Sequence, residues 1–369
     1  MAGNTIGREF SITYFGESHG RCVGVVVDGC PAGLPISNDD IQEDLDRRVP
    51  RKTGVVSSRV EQDRVDIVSG VFEGYTSGAP ICMLIWNKDI DDSPYIEMRW
   101  KPRPGHADYP ASQRYGGFND FRGGGIFSGR STVSLVLAGA LARRLLERVG
   151  VEVLAHAIEI AGIRVDPTPS RDDIQKLTYD NPVRCASPTV ARRMETAIIE
   201  TTSQGDSVGG IVEGLALNLP AGIGEPLYDS LDAELAKLLF DIPGVKGVEF
   251  GMGVESARLK GSSSNDEYVV QSGRIMSHTN RAGGIVGGLS TGQPVKVHVA
   301  FKPTSSIPRV QKTVNIARMK DEPIVVKGRH DPCIVPKAVP VVEAVISIVL
   351  ADHLIRAEII PKVFGIKKT

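Results

Sequence analysis

Aromatic side chains are scarce in this sequence, at 5% of 369 residues, and so is any surplus of charge. Lys and Arg number 43 against 44 Asp and Glu, for a net charge of −1. A chain that neutralises nucleic-acid phosphates needs a marked basic surplus, so no nucleic-acid partner is expected. No uncharged apolar run approaches the roughly 18 residues needed to cross a bilayer, and no membrane association is expected either. The N-terminal MAGNTIGREF has neither a basic segment leading an apolar stretch nor an Arg- and Ser-rich amphipathic pattern. A cytoplasmic location is the expectation. Cys22, Cys30, Cys82, Cys185 and Cys333 form an odd, scattered set without a C-x-x-C pair. That disfavours disulfide frameworks and zinc knuckles, and it fits a reducing compartment. The histidines include no H-E-x-x-H, so no metal site is expected.

Glycine is what the chain has in excess: 40 of 369 residues, about 11% against a usual ~7%. Without a collagen period, such an excess means tight turns or places where backbone approaches something closely, ligand loops among them. Apolar residues at 41% and charged residues at 24% are ordinary for a globular chain with a sizeable core.

Helical periodicity is confined to a few segments. Asn38 to Arg48 has Ser37 as N-cap, Ile41 and Leu45 four apart, and Pro50 beyond its end. Ser131 to Val149 carries an apolar stripe closed by Gly150, and Ser187 to Gln204 repeats the scheme up to Gly205. Asp229 to Phe240 and Pro340 to Arg356 complete the set. Strand-like runs cover Cys22 to Asp28, Val65 to Phe72, Ile81 to Trp86, Val151 to Ile163, Ile211 to Leu219 and Pro294 to Phe301. Strands and helices do not strictly alternate, so an α+β layered fold is expected rather than a doubly wound parallel sheet.

Internal repeats organise this pattern. Gly16-Glu17-Ser18-His19-Gly20 precedes Pro31-Ala32-Gly33, and 189 residues later Gly205-Asp206-Ser207-Val208-Gly209 precedes Pro220-Ala221-Gly222. A second pair keeps the order: Gly123-Gly124-Gly125-Ile126 with Ser131, against Ala282-Gly283-Gly284-Ile285 with Ser290. The expectation is one domain of two related halves, roughly 1–163 and 190–369, joined near 164–190. Val208 stands where the first copy has His19, so that backbone does not itself require histidine. His19 then reads either as a hydrogen-bonded turn residue or as a general acid with a pKa near neutrality.

Other motifs suit anions. Arg103-Pro104-Gly105-His106-Ala107-Asp108 presents an Arg and a His on stiff backbone, for anion binding with proton transfer or as a structural loop. The glycine run from Arg122 to Ser131 opens a helix, and exposed amides there attract phosphate. Gly124 to Ser131 imitates a phosphate-binding P-loop with Arg130 in place of Lys, but Phe118-Asn119-Asp120-Phe121-Arg122 is not the apolar strand such a loop follows. Arg47, Arg48, Arg51 and Lys52 crowd the end of the first helix. Lys302-Pro303-Thr304-Ser305-Ser306 leaves an alternating strand with hydroxyls and an ammonium. In Arg329-His330-Asp331-Pro332-Cys333, neighbouring residues cannot converge as a triad, yet a carboxylate beside a ligand remains open.

Taken in order, these motifs resemble one family, the chorismate synthases. The matches include MAGNTIG, Phe15 to Gly20, Asp44 to Arg48, Arg103 to Tyr109, Arg122 to Gly125, Gly205-Asp206-Ser207, Val245 to Glu249, Asn280 with Ala282 to Ile285, Lys302 to Ser306 and Gly328 to Cys333. The resemblance implies an FMN-dependent lyase that removes phosphate from 5-enolpyruvylshikimate 3-phosphate to give chorismate. It also implies a homotetramer, and a sandwich of antiparallel sheets around helices. The readings set against it are an ATP-dependent phosphotransferase using the Gly124 to Ser131 loop and a non-catalytic anion-binding scaffold.

Carried over by position, flavin contacts fall on Ile126, Phe127, Ser128, Pro243, Gly244, Gly287, Lys302, Pro303, Thr304, Ser305, Ser306 and Arg329. Both glycine loops would then touch one cofactor. His19 matches the proton donor to the leaving phosphate, His106 the histidine that protonates reduced flavin, and Asp331 the carboxylate assisting C6 proton removal. Arg47, Arg48, Arg103 and Arg130 match substrate or NADPH positions, NADPH being a candidate reductant. The sequence departs from many relatives at Ile126 to Ser131, where Arg-Ser-Ser-Ala-Arg-Glu is usual and an Arg and a Glu are missing here, and at Gly54, where a basic residue is usual. Pro243-Gly244 likewise replaces a more polar pair.

Overall fold

The structure, a computed structural model, describes residues 3–49, 55, 63–88, 92–271, 273–326, 328 and 330–365. Arg51, Lys52, Gly54 and Arg329 lie outside the described residues. Its strands form two five-stranded antiparallel sheets and, among the described residues, four two-stranded hairpins. The first contains β1 (Thr5–Ile6), β2 (Ser11–Gly16), β3 (Cys22–Asp28), β4 (Asp66–Ile67) and β5 (Ile81–Trp86), in the order β1-β2-β3-β5-β4. The second contains β6 (Glu152–Ile160), β7 (Ile163–Arg164), β8 (Gly210–Leu217), β9 (Val245–Phe250) and β10 (Val295–Phe301), in the order β9-β10-β8-β6-β7. In β10 the alternation read from the sequence is real: Val295, Val297, Val299 and Phe301 are buried, and the residues between them less so.

The long helices are α1 (Asn38–Arg48), α2 (Thr132–Glu147), α3 (Pro188–Ser203), α4 (Leu231–Leu239) and α5 (Val335–Arg356). A capping box starts α1: Ser37 Oγ accepts from the Asp40 amide while Asp40 Oδ2 accepts from the Ser37 amide at 2.9 Å. Helix α2 packs on β2 and β3 and α5 packs on β6 and β8, while α2 and α5 pack on each other. The architecture is therefore an α+β sandwich with helices enclosed by antiparallel sheets. Helix α5 is long and apolar enough to cross a membrane, but its side chains are buried in this core. It begins five residues before the expected Pro340. Pro336 fills the first turn, where no amide is needed, and packing on both sides holds Pro340 inside the helix.

Among the labelled elements two series run in one order, β2-β3-α1-β5-α2 and β6-β8-α4-β10-α5, with β4 interposed in the first and β7, α3 and β9 in the second; β6 opens the second series although it lies inside the expected first half, 1–163. The turns Gly16 to Gly20 and Gly205 to Gly209 precede the equivalent strands β3 and β8. The second pair of glycine runs is not equivalent: Gly123 to Gly125 follows β5, whereas Gly283 and Gly284 precede β10.

Helices α2 and α5 touch most closely at Gly139, where a Cβ would stand 2.5 Å from Ala344 Cα. Gly139→Ala gains ~1 kcal/mol of helix propensity, yet it overpacks this crossing, and a net loss of ~1–3 kcal/mol is expected. A denaturant midpoint equal to or above that of the parent chain would contradict the close approach.

Candidate active site

The N-termini of α2 and α5 open into one cavity of about 970 Å³, lined there by Ser131, Thr132, Ile334, Lys337 and Ala338. Helix N-termini carry unpaired amides and the positive end of the dipole, which favour anions. Six cationic side chains (Arg48, Arg103, Arg130, Lys246, Lys302 and Lys337) line the cavity against three carboxylates (Asp63, Asp241 and Asp331). That surplus suits a ligand with several negative charges.

The triple glycine forms one wall. Gly123, Gly124 and Gly125 have φ of +58°, +87° and +56°, a region that side chains disfavour. A Cβ on Gly123 would stand 2.7 Å from His19 Nε2, and one on Gly124 would stand 3.0 Å from His106 Cε1. Two histidines thus lie against successive glycines, brought there from positions 19 and 106. His19 comes from the β2–β3 turn and is buried, edge-on to Tyr95 at 4.9 Å between centroids. Its Nδ1 lies 2.8 Å from Asp92 Oδ1, and Asp92 Oδ2 accepts from Arg122 Nη1 at 2.9 Å. Hydrogen bonds from His19 and Arg122 hold the Asp92 carboxyl below its usual range.

His106 is held in a parallel way. Its Nδ1 lies 2.6 Å from Asp108 Oδ1, and Arg103 donates to both Asp108 oxygens at 2.8 Å. Burial opposes charge on Asp108, but the hydrogen bonds from Arg103 and His106 outweigh it and hold the carboxyl well below its usual range. Arg103 is itself buried and also donates to Ser306 Oγ at 3.2 Å. Lys302 Nζ donates to Gly105 O at 2.6 Å and to Ser305 Oγ at 2.7 Å, so the 103–108 and 302–306 loops clamp each other. Burial, then the neighbouring Lys246, pulls the Lys302 pKa down. The Gly205 to Gly209 turn braces the same region: Ser207 Oγ donates to Thr304 O at 2.8 Å and the Val208 amide to Pro332 O at 2.9 Å.

Arg130 Nη1 donates to Asp63 Oδ1 at 2.6 Å, with Arg48 Nη1 3.8 Å from Asp63 Oδ2. Arg48 also donates to Thr132 Oγ1 at 3.2 Å and to Gly129 O at 3.1 Å, so both guanidinium groups are fixed at the start of α2. Asp331 accepts from Lys337 Nζ at 2.8 and 2.6 Å, one turn into α5.

Of the residues expected at the site, His19, Arg48, Arg103, His106, Ile126, Phe127, Ser128, Arg130, Pro243, Gly244, Lys302, Pro303, Thr304, Ser305, Ser306 and Asp331 all line this cavity. Arg47 does not. Successive helical residues point about 100° apart, and Arg47 turns to Glu43 at 2.6 Å and to the Tyr179 ring at 5.4 Å. Gly287 does not line it either. The Lys296 amide donates to Gly283 O at 3.0 Å, which puts that glycine run at the opposite end of β10 from Lys302. A strand rises about 3.3 Å per residue, so roughly 20 Å separates the two ends. Within this chain the two glycine runs therefore do not share a cavity.

Sequence reasoning missed Asp63, Asp92, Tyr14, Asp241, Lys246 and Lys337. Tyr14 OH donates to Asp241 at 3.0 and 2.9 Å beside the cavity. Burial and that carboxylate push the phenol above its usual range. Two of these left a signal: Lys246 in the Val245 to Glu249 match, and Lys337 six residues after Asp331 in the first turn of a Pro-started helix.

A family model described as chorismate synthase matches residues 10–355. Proteins named chorismate synthase from Korarchaeum cryptofilum and Dehalococcoides mccartyi are each 51% identical, covering 97% and 98% of this chain and 99% of their own lengths. The chain belongs to the chorismate synthase family. A solved structure described as the crystal structure of a chorismate synthase superposes with a TM-score of 0.76 at 28% identity, covering 95% of this chain and 93% of that one. Family membership makes the chain a lyase and removes the phosphotransferase reading. The structure agrees, because the glycine run here follows the short helix Asp108–Arg114 and turns, not the strand a P-loop requires.

Proposed function

We propose that the chain converts 5-enolpyruvylshikimate 3-phosphate to chorismate with reduced FMN, by 1,4-elimination of phosphate and the C6 proton. One observation carries the reading: two histidines on successive glycines, each backed by an Asp–Arg pair, in a cavity with a surplus of cations. The fit to a flavin rests on the cavity itself. Ile126, Phe127, Ile242, Phe301, Ile334 and Val341 supply apolar surface for a flat ring, and Ile126-Phe127 replaces a polar pair with more of it. His19 Nε2 and Thr304 Oγ1 are buried cavity atoms with no hydrogen-bond partner among the described residues. Buried polar atoms nearly always have partners, and a bound ligand would supply them.

Ser128, Pro243-Gly244 and Lys302 to Ser306 would hold the cofactor. When bound, reduced FMN supplies an electron transiently and recovers it, which eases phosphate loss without net redox change. The rest is the work of this chain. Arg48, Arg103 and Arg130 grip the substrate's carboxylates and phosphate, for which planar guanidinium groups are suited. Their partners fix them before the substrate arrives, so little reorganisation remains. His19 gives the proton on Nε2 to the leaving phosphate. His106 holds a proton beside the flavin, and Asp331, oriented by Lys337, assists removal of the C6 proton.

The reading includes one domain of two related halves, supported by the two element series that run in one order, and a cytoplasmic homotetramer. Exposed Tyr268, Val270, Ile275, Val310 and Met319 on two hairpins support self-association. The test is anaerobic: FMN, dithionite and substrate are expected to yield chorismate absorbance with equimolar phosphate, and oxidised FMN none. Dithionite makes the outcome independent of NADPH as reductant. Substrate binding without phosphate release would instead favour the anion-binding scaffold.

A further inference from the structure

His19 and His106 share a feature that neither motif announces. Each turns Nδ1 to a carboxylate, Asp92 at 2.8 Å and Asp108 at 2.6 Å, and each carboxylate is held by an arginine, Arg122 or Arg103. Two lone pairs cannot face each other at such distances. Beside carboxyls held below their usual range, Nδ1 carries the proton in His19, and in His106 as well, where the carboxylate at 2.6 Å is nearer to Nδ1 than Arg103 Nη2 at 3.2 Å. His19 Nε2 is buried with no hydrogen-bond partner among the described residues, and His106 Nε2 lies beside Gly124.

We propose that Asp92 and Asp108 are positioning residues that fix both histidines as Nδ1–H tautomers, so that proton exchange at the cavity runs only through Nε2. The inference rests on the proton-transfer roles proposed above for the two histidines. Each arginine keeps its carboxylate charged and pointed at the ring. The carboxylate stabilises the imidazolium, which loads His19 with the Nε2 proton that leaves with phosphate. The aspartate itself takes up no proton. After transfer, the neutral ring keeps Nδ1–H and has its lone pair at Nε2, ready for reprotonation from the same side. In serine proteases the corresponding Asp→Asn change leaves the geometry intact, stabilises the wrong tautomer and lowers kcat about 10⁴-fold.

The decisive variant is Asp92→Asn, because Asp92 is partly exposed and its loss leaves Arg122 paired with Asp120 at 2.8 Å. With FMN, dithionite and substrate, kcat is expected to fall at least about 100-fold while KM stays within about threefold. Nitrogen-15 spectra of the histidine rings should show Nδ1–H in the parent and Nε2–H for His19 in the variant, and Asp92→Glu should recover part of kcat. Asp108→Asn tests the second pair, with Asp108→Glu as the variant that keeps Arg103 neutralised. If His19→Ala is inactive while Asp92→Asn keeps its turnover, the positioning role falls alone. If His19→Ala keeps full turnover, that role and the catalytic reading beneath it fall together.

Discussion

His19→Ala and His106→Ala are each expected to fold like the parent chain and to lose roughly 100- to 10,000-fold in kcat, the range a proton-transfer group contributes. Folding should survive because the carboxylates behind the rings keep other partners. Asp92 stays bound to Arg122, and Asp108 stays bidentate to Arg103, so neither change leaves a buried charge alone. The Gly205 to Gly209 turn, which the sequence repeat aligns with Gly16 to Gly20, has Val208 where the other has His19, and it still forms and still braces the 330–333 loop. The size of the loss follows from the cavity. His19 Nε2 is a buried cavity atom with no hydrogen-bond partner among the described residues, so its proton faces the cavity. Steady-state kcat under anaerobic conditions, with thermal unfolding as the folding control, reads both effects. Losses below about threefold at both positions would take the histidines out of the mechanism.

What the sequence made legible follows the reach of the interactions involved. Local signals were read correctly: α1 begins and ends where Ser37, Ile41, Leu45 and Pro50 place it, and β3 and β5 coincide with their apolar runs. Elements stabilised by partners rather than by their own pattern were missed. Strand β9 carries Lys246, Gly247 and Glu249, and it exists because it pairs with β10 across a bulge. In the site, the glycine, His-Asp and Lys-Ser motifs were visible because each is contiguous. Asp92 was not, because it meets His19 across 73 residues and stands in no pattern. Direction was equally hidden. Arg47 and Arg48 are neighbours in sequence, yet one faces Tyr179 and the other the cavity. Gly287 sits in a run resembling the triple glycine, but chain order puts it at the far end of β10.

The triple glycine gives the second large effect: Gly123→Ala and Gly124→Ala are expected to be nearly inactive while still folded. Backbone strain alone is modest, since an alanine at positive φ costs roughly 1–2 kcal/mol. The added methyl group matters more. At Gly123 it would stand 2.7 Å from Ser18 Oγ as well as from His19 Nε2, and at Gly124 it meets His106 Cε1 at 3.0 Å and Nε2 at 3.2 Å. Neither ring can simply yield, because its Nδ1 is tied to a carboxylate that is tied to an arginine. Either the ring leaves its carboxylate or the wall moves, and a displacement of about 1 Å at reacting groups costs on the order of 100-fold. Gly150→Ala separates the two contributions. Gly150 has φ of +76° with nothing within 4 Å of its would-be Cβ, at the far end of α2. It should lose a similar ~1–2 kcal/mol of stability with normal kcat. The measurement is kcat beside the denaturant midpoint for all three variants. If Gly123→Ala and Gly124→Ala lose no more activity than Gly150→Ala, the glycines serve only the turn, and the histidines do not depend on the wall they rest against.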